Sequence, residues 1–144
     1  MARPAIDTDR IAITILCRDH VVYSLAMDED FGTRFAGEWL DAWNAHDLEA
    51  ILRHFSDDVV FTSPLAQRIV EGSDGVIRGI DDLRAYWSEG LRRNPELHFE
   101  IEGLYVGVTT LVIHYRNHSG GLVNEVLTFD GPLVVQGHAT YLVA

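Results

Sequence analysis

The stretch WLDAWNAHDL, residues 39–48, decides the fold, because one helix ends and a second begins within it. Trp39 and Trp43 belong to a row of aromatic residues that starts at Phe31 and recurs at every fourth position. This spacing places the row on one face of a helix, which is typical of a helix packed against a core. Asp47 is a good N-cap for a second, shorter helix. The stretch therefore predicts two consecutive helices.

A strand, a loop and a third helix are predicted to follow these two helices. Residues 59–62 are rich in β-branched and aromatic side chains, which is typical of a strand. Residues 64–79 contain one proline and three glycines, which indicates a long, partly extended loop. The third helix begins near Ile80 and ends before Pro95, since the residue preceding a proline is pushed out of the helical region.

The rest of the chain is predicted to form four strands joined by short turns. Glycine, serine and aspartate residues between the apolar runs supply the turn chemistry. Helices followed by an antiparallel meander indicate an α+β fold, in which the helices cover one face of a curved sheet. The four runs are residues 97–105, 111–118, 122–129 and 133–143.

The helical stretch of residues 39–48, followed by FSDDVVF at 55–61 and GIDDLRAYW at 79–87, resembles the nuclear transport factor two-like superfamily in its SnoaL-like bacterial branch. The resemblance covers residues 31–144 and implies a cystatin-like cone, in which a curved antiparallel sheet wraps around N-terminal helices. This scaffold hosts isomerases, dehydratases, epoxide hydrolases, polyketide cyclases and non-catalytic binders, so the fold alone does not give the activity.

Residues 1–30 form an N-terminal extension outside this resemblance. Alternating isoleucines between positions 11 and 15 indicate an edge strand or a loosely packed arm. A second interpretation is that Met27 is the natural start and that the residues before it are a weakly selected extension. The sequence does not decide between the two.

Composition argues against several classes of function. Eleven Lys and Arg residues against 22 Asp and Glu residues give a net charge of −11, which repels nucleic acids and anionic membrane surfaces. No apolar run approaches the length of a membrane-spanning helix, and acidic residues precede the first apolar run, unlike an export signal. Because Cys17 is the only cysteine, no internal disulfide is expected, and the cytoplasm is the predicted location.

Glu125 is the most informative polar residue, because strand parity places it among apolar side chains. In the third of the four late strands it shares a face with Leu127 and Phe129, both expected inside. A buried carboxylate is costly unless it is paired or protonated. The resemblance implies a pocket between the sheet and the helices, so Glu125 is expected there as a functional group; the alternatives are a structural ion pair or a solvated charge at the edge.

The partner of Glu125 depends on the length of the turn that precedes its strand. With a two-residue hairpin count, His114 and Arg116 share the face of Glu125 and form a polar cluster with it, the interpretation we favour. A change of one residue in that count places Ile113 and Tyr115 inside instead, and the charged pair outside.

Two functions are compatible with these residues. The first is an enzyme that acts on a small apolar molecule by general acid–base catalysis, with Glu125 as acid or base, His114 as its proton partner and Arg116 orienting Glu125. The second is a non-catalytic ligand-binding or dimerisation module, whose pocket provides shape and apolar contact. The other predicted pocket-lining residues are Trp39, Phe61, Ser63, Trp87, Leu127, Phe129 and Tyr141.

Enzymes of the resembled superfamily narrow the chemistry further. Ser63 stands where ketosteroid isomerases keep their aspartate base and Trp39 where they keep a tyrosine, so that reaction is not expected. Arg116 with a carboxylate is similar to limonene epoxide hydrolase-like enzymes, but the second carboxylate on the arginine's strand is missing. SnoaL-like cyclases use an acidic residue and a histidine, a requirement that Glu125 and His114 meet.

No cofactor, metal, nucleic-acid or membrane partner is expected. Metal-ligand spacings such as His-x-His, Cys-x-x-Cys and His-Glu-x-x-His do not occur, and no glycine-rich phosphate loop opens a helix. The expected partners are a small apolar molecule and a second copy of the chain, since the resemblance implies pairing through the outer face of the sheet. Apolar area for that pairing is expected from Leu122, Val126, Val134 and Leu142.

Overall fold

The computed structural model describes residues 27–144 in full and, before them, the backbone of two short strands. These strands, β1 (Ile13–Cys17) and β2 (His20–Ser24), pair in antiparallel fashion as a sheet of two strands. These ten residues form a sheet separate from the main one, and an edge strand or a loosely packed arm in residues 1–30 stays a prediction. From Met27 onward the structure describes both backbone and side chains.

The two consecutive helices predicted from the aromatic row are confirmed. Helix α1 (Glu29–Asn44) begins after Asp28, whose carboxylate accepts a hydrogen bond from the backbone N–H of Phe31 at 2.7 Å. This bond satisfies one of the free N–H groups at the start of the helix. Asp47 caps helix α2 (Leu48–Leu52) in the same way, as predicted.

The predicted loop over residues 64–79 is wrong in part, because it contains a short helix, α3 (Pro64–Ile69), and a short strand, β4 (Val76–Arg78). Ser63 caps this helix, and its hydroxyl accepts a hydrogen bond from the N–H of Leu65 at 3.1 Å. Proline at the first helical position has a backbone angle already suited to a helix. A serine followed by a proline therefore begins a helix where glycine content indicated only a loop.

The remaining elements form one six-stranded sheet with helix α4 (Ile80–Arg93) packed against it. The strand order is β4-β3-β8-β7-β6-β5, and all neighbours are antiparallel except β3 and β8, which run parallel. Helix α1 packs against β5 and α4 against β3, so the helices cover the inner face of the curved sheet. The strands are β3 (Phe55–Thr62), β5 (Glu100–Val106), β6 (Thr110–Arg116), β7 (Leu122–Asp130) and β8 (Leu133–Tyr141).

Val134 does not lie on the outer face of the sheet, so its predicted part in a dimer surface is wrong. The register between β7 and β8 shifts near the turn, where Thr128 pairs with Gln136 but Phe129 pairs with Val134. Such a bulge adds one residue to one strand and reverses which side chains point inward beyond it. Val134 is consequently fully buried.

Aromatic side chains make up most of the core between the helices and the sheet. Near the start of α1, Phe35 meets Phe129 edge to face, with 4.9 Å between ring centroids. One turn further along the same helix face, Trp39 stacks on Phe99 at 5.7 Å. Within the part of the chain that the structure describes, no helix is long and apolar enough to cross a membrane.

Candidate functional site

A cavity of about 90 Å³ lies between helices α1 and α4 and the inner face of the sheet. Partly exposed residues such as Leu65, Asn94 and Leu97 form its outer end. Five of the residues predicted for the wall surround it, namely Trp39, Phe61, Ser63, Trp87 and Tyr141.

Leu127 and Phe129 were also predicted to line the pocket, and the structure places both elsewhere. They point inward and are buried, but neither belongs to the cavity wall. Phe129 packs against Phe31 and Phe35, near the start of helix α1. Phe129 therefore fills the core near the start of α1, and Leu127 is buried beside Gly137 without reaching the cavity, because the cavity extends over only part of the inner face.

Glu125 lies in the cavity wall and is 4% exposed. Loss of hydration raises the pKa of its carboxyl group to about 7, because burial disfavours the charged form. A hydrogen bond donated by the Tyr115 hydroxyl to Oε2 of Glu125, at 3.4 Å, lowers the pKa and opposes this effect only in part. No salt bridge reaches Glu125 within residues 27–144. Its carboxyl group is therefore poised to gain or lose a proton near neutral pH.

The predicted cluster of His114 and Arg116 with Glu125 is wrong. The connection between β6 and β7 is five residues long, so Glu125 pairs with Ile113, which is buried on the same face. An odd number of connecting residues gives the parity of the alternative interpretation, in which Tyr115 also points inward. The sheet therefore separates the side chains of His114 and Arg116 from the cavity.

On the outer face, His114 and Arg116 have partners of their own. Nδ1 of His114 lies 2.7 Å from Oδ1 of Asn124, its cross-strand neighbour. Arg116 forms a salt bridge with Glu102 at 3.0 Å and donates a second hydrogen bond to the backbone oxygen of Gly120. These contacts are local to the outer surface, so neither residue can exchange a proton with Glu125 in this arrangement.

A group of hydroxyls around Ser63 forms a second polar part of the wall. The Ser63 hydroxyl accepts a hydrogen bond from the N–H of Leu65 and another from the hydroxyl of Tyr86, at 3.2 Å. Burial raises the pKa of Tyr86 to about 12, so its proton stays in place at physiological pH. Burial raises the pKa of Tyr141, and the Ser63 hydroxyl opposes this effect in part. Ser63 therefore contacts Tyr86 directly and influences Tyr141.

The indole N–H groups of Trp39 and Trp43 make no hydrogen bond within the described residues. Both nitrogen atoms are closed to water, and each ring lies against neighbouring aromatic rings. A ligand reaches them only if these rings move. The accessible polar groups of the cavity are therefore Glu125, the hydroxyl groups and, at the outer end, the amide of Asn94.

Among the wall residues that the favoured interpretation of the sequence did not include, Tyr86 and Tyr115 carry hydroxyl groups. Tyr86 lies one residue before Trp87, a predicted wall residue, and three after the apolar Leu83 of the same helix, so helical spacing was a usable signal. Tyr115 belonged to the alternative strand parity. Among the fully described residues, no three His, Cys, Asp or Glu side chains come together as metal ligands.

Comparisons with known proteins point to one family. The SnoaL-like domain family matches residues 36–142. A SnoaL-like protein of unknown function from Burkholderia thailandensis E264 is 41% identical, with a TM-score of 0.78 over 82% of this chain and 99% of that chain. No curated protein matches the chain.

Two more distant structures share the fold alone. A protein of unknown function with a cystatin-like fold from Methylobium petroleophilum PM1 is 15% identical, with a TM-score of 0.63 over 83% of this chain and 80% of that chain. A putative polyketide cyclase from Sinorhizobium meliloti is 13% identical, with a TM-score of 0.62 over 74% of this chain and 94% of that chain. The predicted α+β cone is thereby confirmed.

Proposed function

Because the chain belongs to the SnoaL-like domain family, we propose that it binds a small, mostly apolar molecule in its cavity and moves a proton on that molecule through Glu125. The observation that carries the proposal is the position of Glu125, whose buried carboxyl group lies in the cavity wall with a pKa of about 7. A general acid or base works best when its pKa is near the working pH. At neutral pH the carboxyl group of Glu125 is therefore present in both its protonated and its ionised form.

The chemistry that suits one such carboxyl group is the movement of a proton between two atoms of the substrate. The Glu125 carboxylate accepts a proton from a carbon next to a carbonyl group, and the carboxylic acid that forms returns it to another atom. The C–H electron pair moves into the carbonyl group as an enolate during the first step. Hydroxyls of the wall, among them that of Tyr141, are available as donors to the enolate oxygen.

The size of the cavity limits the substrate. About 90 Å³ equals the liquid volume of roughly three water molecules. Pockets for drug-sized ligands measure about 300–1,000 Å³. The cavity therefore encloses a small molecule, or one end of a longer molecule that extends past Leu65 and Leu97.

A non-catalytic binding module is the second candidate. The observation that favours it is that Tyr115 is the only described hydrogen-bond partner of Glu125. Burial holds the pKa of Tyr115 well above its usual value, so this hydroxyl does not accept or release protons near neutrality. In this function the carboxyl group of Glu125 orients the ligand, and no C–H bond of the ligand is broken.

Hydrogen–deuterium exchange distinguishes the two functions. Small ketones such as butanone and cyclopentanone are incubated with the protein in deuterated buffer, and exchange next to the carbonyl group is followed by NMR. We expect wild type to accelerate the exchange with an inflection near pH 7, and Glu125→Gln to abolish the acceleration. Glu100→Gln is the matched control, since Glu100 is exposed on β5. Equal exchange with wild type and Glu125→Gln would contradict the catalytic proposal.

Pairing of two copies through the outer face of the sheet stays a prediction. Leu122 and Val126 are partly exposed there, and Leu142 beyond the last strand is 64% exposed. Val126→Glu places a charge at the centre of this surface. If the surface pairs two copies, sedimentation equilibrium shows a dimer for wild type and a monomer for the variant.

A further inference from the structure

Among the described residues of the cavity wall, the one group that can carry a charge near neutral pH is acidic. Most of the described side chains that line the cavity are aromatic, and Glu125 carries the one carboxyl group among them. No Arg, Lys or His is among these described residues. The described wall therefore combines aromatic rings with an acidic group, and no positive group balances them.

Three of the aromatic rings form one continuous part of the wall beside Glu125. Tyr115, whose hydroxyl lies against Glu125, has its ring centroid 5.1 Å from that of Trp39 and 4.6 Å from that of Phe99. Trp39 and Phe99 in turn stack at 5.7 Å. A ligand group that contacts the carboxyl oxygen is therefore next to this group of three rings.

The physical consequence is a preference for positive charge. The face of an aromatic ring attracts a cation, and the attraction is stronger once water is excluded. An anion loses its hydration on entry and meets no positive group in return. A compact alkylated ammonium group loses less hydration than a primary ammonium group, because its charge is covered by carbon.

We infer that the cavity selects a small organic cation, an alkylated amine or quaternary ammonium group, which pairs with the Glu125 carboxylate and lies against the rings of Trp39, Phe99 and Tyr115. This inference rests on the cavity of the proposed function and names the class of its ligand. It does not depend on whether Glu125 also transfers a proton. The net charge of −11 favours the approach of such a ligand from solution.

The other charged and titratable groups around Glu125 do not replace the cation. Tyr115 on β6, Tyr86 on α4 and Tyr141 on β8 all have a pKa above the usual value, mainly because of burial, so they are neutral near pH 7. Arg68 on α3 carries a positive charge that acts on Tyr141, and its side chain is exposed to solvent. Solvent screens such a charge strongly.

Ligand binding is then linked to pH through Glu125. A cation pairs with the ionised carboxylate, so it competes with the proton for the same group. Affinity for the cation is therefore expected to fall about tenfold for each pH unit below the pKa of Glu125 and to level off above it. A neutral ligand of the same shape has no such dependence.

Choline and 3,3-dimethylbutan-1-ol provide the test, because they have nearly the same shape and differ in the positive charge. Calorimetry or NMR titration at pH 8 is expected to show choline binding at least about tenfold more tightly than the alcohol. Glu125→Gln is expected to remove most of this difference, while Glu100→Gln, an exposed control, keeps it. In wild type, lowering the pH from 8 to 6 weakens the binding of choline alone.

Three results would overturn the inference. If the alcohol binds as tightly as choline, the ligand is neutral, and the proposed proton transfer stands unaffected. If choline binds wild type and Glu125→Gln equally at pH 8, or equally at pH 6 and pH 8 in wild type, the carboxylate is not its partner. If neither choline nor the alcohol binds while a small ketone still exchanges deuterium, only the ligand class is wrong. If neither compound binds and no ketone exchanges deuterium, both proposals are contradicted.

Discussion

The hydroxyl of Tyr115 lies 3.4 Å from Oε2 of Glu125 and donates the one hydrogen bond that the described residues offer this carboxyl group. At that length the bond is weak. Burial acts in the opposite direction and is the larger effect, so the pKa of Glu125 is raised to about 7. The dependence of stability, ligand binding and proton transfer on pH follows from these two opposing effects on the pKa of Glu125.

Glu125→Gln is predicted to change how stability depends on pH. In the unfolded chain Glu125 has its ordinary pKa of 4.5, whereas the folded protein keeps the proton up to about pH 7. The folded state binds more protons in this range, so wild type loses stability as pH rises from 4.5 to 7. The difference corresponds to about 3 kcal/mol of unfolding free energy, reached above pH 7.

Urea unfolding of wild type and Glu125→Gln across this pH range measures the effect. We expect the variant to gain stability relative to wild type as pH rises, with the gain levelling off above pH 7. Glu100→Gln controls for a charge change on the surface. A constant difference between wild type and Glu125→Gln from pH 4.5 to 8 would show that Glu125 ionises normally in the folded protein.

Tyr115→Phe is predicted to raise the pKa of Glu125 further. The change removes the hydroxyl that stabilises the carboxylate and leaves burial unopposed. Carbon-13 NMR titration of the glutamate carboxyl groups reports this pKa directly. Tyr105→Phe is the matched control, because Tyr105 is 64% exposed. An unchanged or lowered Glu125 pKa in Tyr115→Phe rules out the hydrogen bond as a stabilising contact.

The inward position of Glu125 was predictable because a strand alternates strictly, and Leu127 two residues later had to be buried. The helix cap at Asp47 was predictable for a similarly local reason. The face of His114 was not, since it depends on the length of the turn between two strands, and one residue reverses it. The side of Val134 depends on a bulge that the local sequence does not indicate.

His114→Ala and Arg116→Ala are predicted to leave the site unaffected. Both side chains lie on the outer face, and their partners are Asn124 and Glu102. Loss of an exposed ion pair or hydrogen bond costs about 1 kcal/mol or less. Ligand affinity and the pKa of Glu125, measured by NMR, are expected to match wild type. A tenfold loss of affinity in either variant contradicts the strand register described above.

Ser63→Ala is predicted to destabilise the protein by about 2 kcal/mol or more, because the change removes a helix cap and leaves the buried Tyr86 hydroxyl without its partner. Combining Ser63→Ala with Tyr86→Phe removes the hydroxyl that the serine change leaves unpaired. The double variant is therefore expected to be more stable than the sum of the two single effects, by about 1 kcal/mol. Urea unfolding of all four proteins measures this coupling, and additive effects would show that the two hydroxyls do not interact. Ser88→Ala, on an exposed position of α4, is the control.

Gly137→Ala is predicted to distort the cavity wall at Phe61. The two residues are neighbours across the parallel pair of strands, and a Cβ atom at position 137 would lie 2.7 Å from Cδ2 of Phe61. The ring must shift to relieve this contact, at a cost of about 1–3 kcal/mol in unfolding free energy.

Gly103→Ala is the control, because a Cβ atom added at this strand glycine has no other atom within 4 Å. The stability of this variant is expected to be unchanged or slightly higher than that of wild type. Because Phe61 lines the cavity, Gly137→Ala is also expected to weaken ligand binding, which Gly103→Ala does not. Equal stability and equal affinity of the two variants would mean that Phe61 moves without affecting the wall.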